Sequence, residues 1–205
     1  MAARKRQPRG FSVFELVLAL LVMTILVGLV LTSANAGLHD SLMSAAQILA
    51  GDIQYARNLA VVNGDTYRIT FDTVLDQYVL SYSGTNTALA TLPPSPFHTS
   101  SDTPTQQVVQ LTNLPHVGPP AQLEAAFAQG NTSTQVTNVE FGPLGETTQT
   151  ADTIIWLSAG AGAAMRHISV HVNAVTGLST IENFQAQSPF ATVTATSSTT
   201  STTTH

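Results

Sequence analysis

A carboxylate near the start of a long apolar run is the residue whose placement points most directly to chemistry. Glu15 lies four positions after Phe11, and hydrophobic residues follow it as far as Leu31. A carboxylate at mid-bilayer costs about 3 kcal/mol, so a residue of this kind usually has a partner and a function. If the chain is cleaved between Gly10 and Phe11, the new α-amine lies one helical turn from Glu15. The two charges can then neutralise each other, within one chain or between adjacent subunits.

The segment that carries this carboxylate is predicted to span a membrane. Residues 11–31 form a run of 21 residues in which only Ser12, Glu15 and Thr24 are polar. A helix of that length extends roughly 32 Å, about one bilayer core. Four of the seven basic residues precede Gly10, which places the N-terminus in the cytoplasm and the rest of the chain outside.

The composition excludes several classes of protein. The chain has no cysteine, which rules out disulfides, thiolate metal sites and a cysteine nucleophile. A chain that starts at Phe11 has three basic and twelve acidic side chains, a formal charge of −9. Because affinity for nucleic acids comes largely from Lys and Arg, we expect no nucleic-acid partner.

After Leu31 the pattern changes from uniformly apolar to amphipathic. Apolar residues recur at intervals of three and four, the spacing of one helical face. They are Leu38, Leu42, Ala46, Leu49, Ile53, Ala56 and Ala60. The pair Asn63-Gly64 predicts the end of the helix.

The remainder is predicted to be a head of short antiparallel strands. Alternating patterns predict a hairpin over residues 66–72 and 77–83. Residues 84–105 are predicted to form a loop, and residues 122–128 a helical turn. Further strands are expected at 107–111, 136–141, 153–157, 166–172 and 178–181.

The order of these parts predicts an α+β fold. A long N-terminal helix, with a transmembrane half and an amphipathic half, packs on an antiparallel sheet or sandwich head. The expected parts are a basic leader (1–10), a transmembrane helix (11–33), an amphipathic helix (34–63), a β-rich head (64–184) and a disordered tail (185–205). Ser and Thr make up eleven of the last fifteen residues, and such a stretch has little to bury.

The leader and the residues after it resemble a prepilin (type III) signal. That signal has a short basic leader, Gly before the cut, Phe after it and Glu at the fifth mature position, which correspond here to Gly10, Phe11 and Glu15. The resemblance implies that a prepilin peptidase cleaves between Gly10 and Phe11 and methylates the amine of Phe11. It also implies the helix-on-sheet "lollipop" fold of pilins.

Later stretches resemble the GspH/FimT-like group of minor pseudopilins. They are LAGDIQYARNLAVVNGDTYRITF at the end of the helix, and VEFGPLGETT, TIIWLS and RHISVHVNAVTGLSTIE near the C-terminus, while residues 84–135 resemble a variable insertion. The resemblance implies a structural subunit of the type II secretion filament in the bacterial inner membrane, with a periplasmic head. Its expected partners are other pseudopilins, the prepilin peptidase and membrane lipid.

Other interpretations are open. A FimT-like minor pilin of type IV pili would serve pilus assembly or DNA uptake, for which Arg166 is the candidate phosphate-binding residue. A secretory signal peptide would be cleaved near residues 34–36, a small-residue stretch. An uncleaved anchor for a carbohydrate- or protein-binding sandwich would retain residues 1–10.

The remaining residues that could do chemistry do not form a catalytic motif. His167 and His171 share one face of a predicted strand, and Asp72 and Asp76 bracket a turn. Solvated or hydrogen-bonded histidines and turn-stabilising aspartates are the commoner explanations. The nucleophile-elbow, zinc-protease and phosphate-loop motifs are absent from the sequence. We therefore expect no enzyme activity, no metal and no cofactor.

Overall fold

The computed structural model describes residues 12–94, 101–114 and 120–187, except for the side chains of residues 27–36 and 132–134. By its internal contacts the chain divides into two units, residues 1–36 and 37–205. Helix α1 spans Val13–Asn63. The nine described strands are β1 (Tyr67–Asp72), β2 (Gln77–Tyr82), β3 (Gln106–Gln110), β4 (Gln122–Ala128), β5 (Asn131–Gln135), β6 (Asn138–Phe141), β7 (Thr153–Ala159), β8 (Arg166–Val172) and β9 (Ser179–Ile181).

The strands form two antiparallel sheets. Sheet A has the order β3-β2-β1-β6, and sheet B has the order β5-β4-β7-β8-β9. In sheet A, Ile69 pairs with Leu80 on one side and with Val139 on the other. In sheet B, Leu157 pairs with Leu123 and Ile168. Because alternate residues point to the same face, each sheet presents an apolar face to the core.

The amphipathic part of α1 packs on these sheets, as predicted. All seven residues of the expected stripe are buried, with at most 4% of any of them exposed. They join one core with inward-facing residues of both sheets, including Tyr67 and Ile69 of sheet A and Ile155 and Ile168 of sheet B. The α+β prediction is therefore confirmed.

The helix ends where the sequence predicts. Gly64 adopts a φ of +62°, a left-handed conformation that suits glycine after a helix. The amide of Asp65 then donates to the carbonyl of Ala60 at 3.2 Å. This end directs the chain into β1.

One element was predicted wrongly. Residues 122–128 are not a helical turn but strand β4, an interior strand of sheet B. The stretch contains three alanines and a glutamate, which favour helix, but pairing with β5 and β7 decides its conformation, with a register shift between Leu123 and Ala125. Residues 84–135 thus supply three strands, β3, β4 and β5, to the two sheets.

Candidate assembly surface

The first turn of α1 contains the carboxylate singled out above. Glu15 lies in this turn, where a negative charge interacts favourably with the helix dipole. The carbonyl of Ser12 accepts hydrogen bonds from the amides of Glu15 (3.0 Å) and Leu16 (3.2 Å). Gly10 and Phe11 lie outside the described residues, so the cleavage site and the amine–carboxylate pair remain predictions.

The helix that follows Glu15 exposes its apolar side chains. Between residues 13 and 26, every large apolar side chain is 48–82% exposed, and these are Val13, Phe14, Leu16, Val17, Leu18, Leu20, Leu21, Val22, Met23, Ile25 and Leu26. The hydroxyl of Thr24 donates to the carbonyl of Leu21 at 2.8 Å, which satisfies the hydroxyl within the helix. This surface is therefore apolar on all sides except at Glu15.

The structure describes only part of the predicted membrane span. Among the residues that the structure describes, no helix combines the length and the apolar composition that crossing a membrane requires. Of the predicted span, Phe11 and the side chains from residue 27 onward lie outside those residues.

Within the head, polar side chains of α1 make specific contacts with the sheets. The hydroxyl of Tyr78 donates to Oδ2 of Asp52 at 2.5 Å. Burial raises the pKa of Asp52, and the hydrogen bond from Tyr78 opposes that rise. Burial, followed by the nearby Asp52 carboxylate, raises the pKa of Tyr78 well above its ordinary value. Gln54 donates to the hydroxyl of Ser179 at 3.0 Å, which links the helix to β9.

Arg57 joins the helix to two turns. Its Nε donates to the carbonyl of Gly145 at 3.2 Å and to that of Thr176 at 2.6 Å. Gly145 and Gly177 have φ values of +87° and +64°, which disfavour a Cβ. A Cβ on Gly177 would lie 2.1 Å from the carbonyl oxygen of Gly145. Nothing in the sequence indicated the contact between Arg57 and these two turns.

The two predicted histidines are on one face but differ in surroundings. His167 is buried, and its Nδ1 lies 2.7 Å from Oε2 of Glu124, whereas His171 is half-buried and pairs in register with Thr180. Glu124 was missed because its strand was predicted as a helical turn. Among the described residues no group of three potential metal ligands occurs.

The aspartates of the β1–β2 turn stabilise it. Oδ1 of Asp72 accepts hydrogen bonds from the amides of Val74 and Leu75, each at 3.0 Å. Oδ1 of Asp76 accepts from the amide of Leu123 at 2.9 Å, which ties the turn to β4. These contacts favour the structural explanation of both aspartates.

Arg166, the candidate phosphate-binding residue, faces its own backbone. Its Nη1 donates to the carbonyls of Ala163 at 3.1 Å and Met165 at 2.8 Å. The other two arginines in the described part of the chain are also engaged, Arg57 with carbonyls and Arg68 with Glu140 at 2.5 Å. The three arginines of the described part of the chain therefore do not form a shared basic surface.

Comparisons with known proteins place the chain in a family. The family model described as "Type II transport protein GspH" matches residues 45–176, more than half of the chain. Two crystal forms of the type IV minor pilin FimU from Pseudomonas aeruginosa are similar in structure. The P21 form has 14% identity, a TM-score of 0.43 and coverage of 71% of this chain and 90% of that chain. The P65 form has 16% identity, a TM-score of 0.40 and coverage of 69% of this chain and 93% of that chain.

No curated protein sequence gives a significant match. The family match is independent of the FimU structures, and it extends from the helix stripe in the head, through both sheets, to the turn that Arg57 contacts. The chain therefore belongs to the GspH family, which is described as a type II transport protein family.

Proposed function

We propose that the chain is a minor pseudopilin of a type II secretion filament, held in the bacterial inner membrane by residues 11–33 with its head in the periplasm. The observation that carries this proposal is the apolar helix surface of residues 13–26, whose large side chains are all about half exposed or more. Soluble proteins rarely expose a continuous apolar surface of this size. Lipid fits it before assembly, and the apolar helices of other pilin-like subunits fit it within a filament.

Glu15 is the assembly residue in this proposal. The prepilin peptidase cleaves between Gly10 and Phe11 and methylates the new amine. The amine and the Glu15 carboxylate then lie on the same helix end, and pairing between subunits sets the axial position of one helix against the next. The family membership and the position of Glu15 in the first turn of α1 support this role.

The family description favours a secretion filament over a type IV pilus. The engagement of Arg166 with backbone carbonyls and the expected charge of −9 after cleavage also argue against DNA binding. Deleting the gene in its host separates the two systems. Loss of secreted proteins with normal pili supports the proposal, whereas loss of pili or of DNA uptake with normal secretion supports the FimT-like alternative.

Processing is tested by the intact mass of the protein extracted from its native membrane. We expect a chain that lacks residues 1–10 and carries one additional methyl group. A chain that still begins upstream of Phe11, or one that begins after residue 36, contradicts the proposed amine–carboxylate pair.

The role of the carboxylate is tested by Glu15→Gln, with Asp40→Asn as the matched control. Asp40 is an exposed carboxylate on the same helix. We expect Glu15→Gln to reach the membrane fraction normally but to cross-link to neighbouring subunits about tenfold less, the effect of ~1.4 kcal/mol. Asp40→Asn should cross-link as the wild type does. Normal cross-linking of Glu15→Gln refutes the assigned role.

A further inference from the structure

Strands β7 and β8 are buried on both of their faces. In β1 of sheet A, buried and exposed residues alternate, and Arg68 and Thr70 are exposed. That alternation is typical of a strand with one face on the core and one face open to solvent. In β7, by contrast, six of the seven residues are buried, and in β8 five of the seven are buried. Sheet B is therefore covered on both sides at these strands.

The residues of sheet B that point away from the core form its outer face. Ile155 and Leu157 of β7 join the core, so Trp156 between them points to the other side. Residues paired across neighbouring strands share a face, which adds Ala125, Phe127, Ile154, Ser158, His167 and Ser169. Trp156 and Phe127 are only 7% exposed, and Ser158, His167 and Ser169 are at most 4% exposed.

The described apolar residues do not supply a cover for this outer face. Ala125, Phe127 and Trp156 form a cluster that is separate from the core, and within the described part of the chain the partly buried apolar residue packed against it is Ile154. All four lie side by side on β4 and β7. Such neighbours shield one another's flanks but not the surface that points away from the sheet. The burial of the Trp156 indole therefore indicates a cover from another segment.

The C-terminal part of the chain passes beside this face. After β9 it follows the edge of β8, where Gln185 and His167 exchange backbone hydrogen bonds of 2.8 and 2.9 Å. The structure describes the chain as far as Gln187. From Gln185, Trp156 lies two strand spacings across the sheet and two residues along it, which together amount to about 12 Å. Phe190 is five residues beyond Gln185 and can reach up to about 17 Å.

The composition of the last eighteen residues suits an apolar face at one end only. Residues 189–193 are Pro-Phe-Ala-Thr-Val, whereas residues 196–205 are Ser and Thr followed by one His. Residues 188–205 contain no Asp, Glu, Lys or Arg, so covering the outer face with them desolvates no full charge. Phe190 also provides an aromatic ring for Trp156 and Phe127, and aromatic rings pair favourably when buried.

We propose that residues 188–195, the C-terminal segment, dock on the outer face of sheet B of the same chain, with Phe190 against Trp156 and Phe127. Residues 196–205 take no part in this contact. The segment closes an apolar surface that would otherwise be open to association. The inference does not depend on the proposed function, because it concerns a contact within one head.

The first test uses Trp156, the one tryptophan of the chain, as the reporter. Two truncated forms of the full-length protein are compared in detergent, one that ends at Gln187 and a control that ends at Ala195. We expect the chain that ends at Gln187 to show several-fold stronger quenching of Trp156 fluorescence by acrylamide and an emission maximum at longer wavelength, because the indole becomes hydrated. The control should behave as the full-length chain does.

Three outcomes of this comparison overturn the proposal. Unchanged quenching in the chain that ends at Gln187 assigns the cover to another segment, such as residues 115–119 before β4. Equal increases in both truncated chains assign it to residues 196–205. Quenching of the full-length protein that rises on dilution assigns the cover to a second copy. Within the full-length chain, Phe190→Ser should increase the quenching, and Phe190→Leu should largely preserve the protection.

The second test keeps the whole chain, so it decides the matter if the shorter chain fails to fold. The protein has no cysteine, and Ser169 lies on the outer face opposite Trp156. Ser169→Cys is combined in turn with Phe190→Cys, Ala191→Cys or Thr192→Cys. Thr70→Cys, on the exposed face of sheet A, replaces Ser169→Cys in the control pairs. Mild oxidation should form an intramolecular disulfide in at least one Ser169→Cys pair and much less in the controls. No disulfide with Ser169→Cys, or equal yields with Thr70→Cys, overturns the proposal.

Discussion

The two described parts of α1 differ in where their apolar surface lies. In residues 38–60 the apolar stripe is at most 4% exposed and joins the core of the head, whereas in residues 13–26 the large apolar side chains are 48–82% exposed. The first part has apolar residues at intervals of three and four, and the second is apolar on all faces. A stripe covers one partner surface, while an all-round apolar helix needs partners on every side. The head therefore covers the apolar stripe of residues 38–60, whereas under the proposed function lipid or other subunits cover the apolar surface of residues 13–26.

The largest expected effect tests this comparison directly. Leu49 is fully buried and Leu20 is 56% exposed. We expect Leu49→Ala to lower the free energy of unfolding of the head by about 2–5 kcal/mol, because it leaves a cavity in the core. Leu20→Ala should change it by less than about 0.5 kcal/mol. Urea unfolding of the full-length chain in detergent, followed by Trp156 fluorescence, measures both variants. Equal losses of unfolding free energy in the two variants would contradict this difference between the two parts of α1.

A smaller effect concerns the turns that Arg57 contacts. Gly177 and Gly64 have nearly equal φ values of +64° and +62°, but only Gly177 is crowded, since a Cβ on Gly64 would meet nothing within 4 Å. We expect Gly64→Ala to cost about 1 kcal/mol for the backbone conformation alone. Gly177→Ala should cost about 1–3 kcal/mol more, because the clash with the Gly145 carbonyl must be relieved.

The same urea experiment compares the two glycine variants. Arg57→Gln combined with Gly177→Ala should cost less than the sum of the single changes, because both disturb the same pair of turns. Additive costs would show that Arg57 and Gly177 act independently, and would remove the role of Arg57 in holding the turns.

Much of the helix could be predicted because its periodicity is a local signal. All seven stripe residues and the stop at Asn63-Gly64 follow from the spacing of apolar residues and from one turn dipeptide. The contacts of Arg57 could not be predicted. Its acceptors are backbone carbonyls 88 and 119 residues away. Because every residue has a backbone carbonyl, the residue type at those positions does not indicate the contact.

Strand β4 shows a different limit. Its residues include good helix formers, and short apolar runs do not distinguish helix from strand. Pairing with β7 across Leu123 and Leu157 decides the matter, and that pairing is a property of the folded chain. The error also concealed Glu124, whose Oε2 lies 2.7 Å from the Nδ1 of His167. The predicted cleavage site between Gly10 and Phe11 rests on local sequence alone and stays a prediction, because both residues lie outside the described part of the chain.

The smallest expected effect concerns Asp52, a carboxylate in the part of α1 that packs on the head. Burial raises the pKa of Asp52 above its ordinary value of 3.8, so the folded head binds this proton more tightly than the unfolded chain does. Stability from this group is therefore present below about pH 3.8 and is lost as the pH rises toward the raised pKa. Asp52→Asn should remove that loss while keeping an acceptor for the Tyr78 hydroxyl. Urea midpoints measured between pH 4 and pH 7 should fall less with pH in this variant than in the wild type.

Asp65 is the control with the opposite sign. The hydrogen bond from Tyr82 lowers the pKa of Asp65 below 3.8, so this carboxylate adds stability above that pH and loses it as the pH falls through the lowered pKa. Asp65→Asn should therefore flatten the acid side of the profile, below about pH 4, and leave the interval above it unchanged. A profile that Asp52→Asn leaves unaltered would mean that the Asp52 carboxylate is hydrated in the folded head. The polar contacts of α1 would then contribute less than its apolar stripe to holding this part of the helix on the sheets.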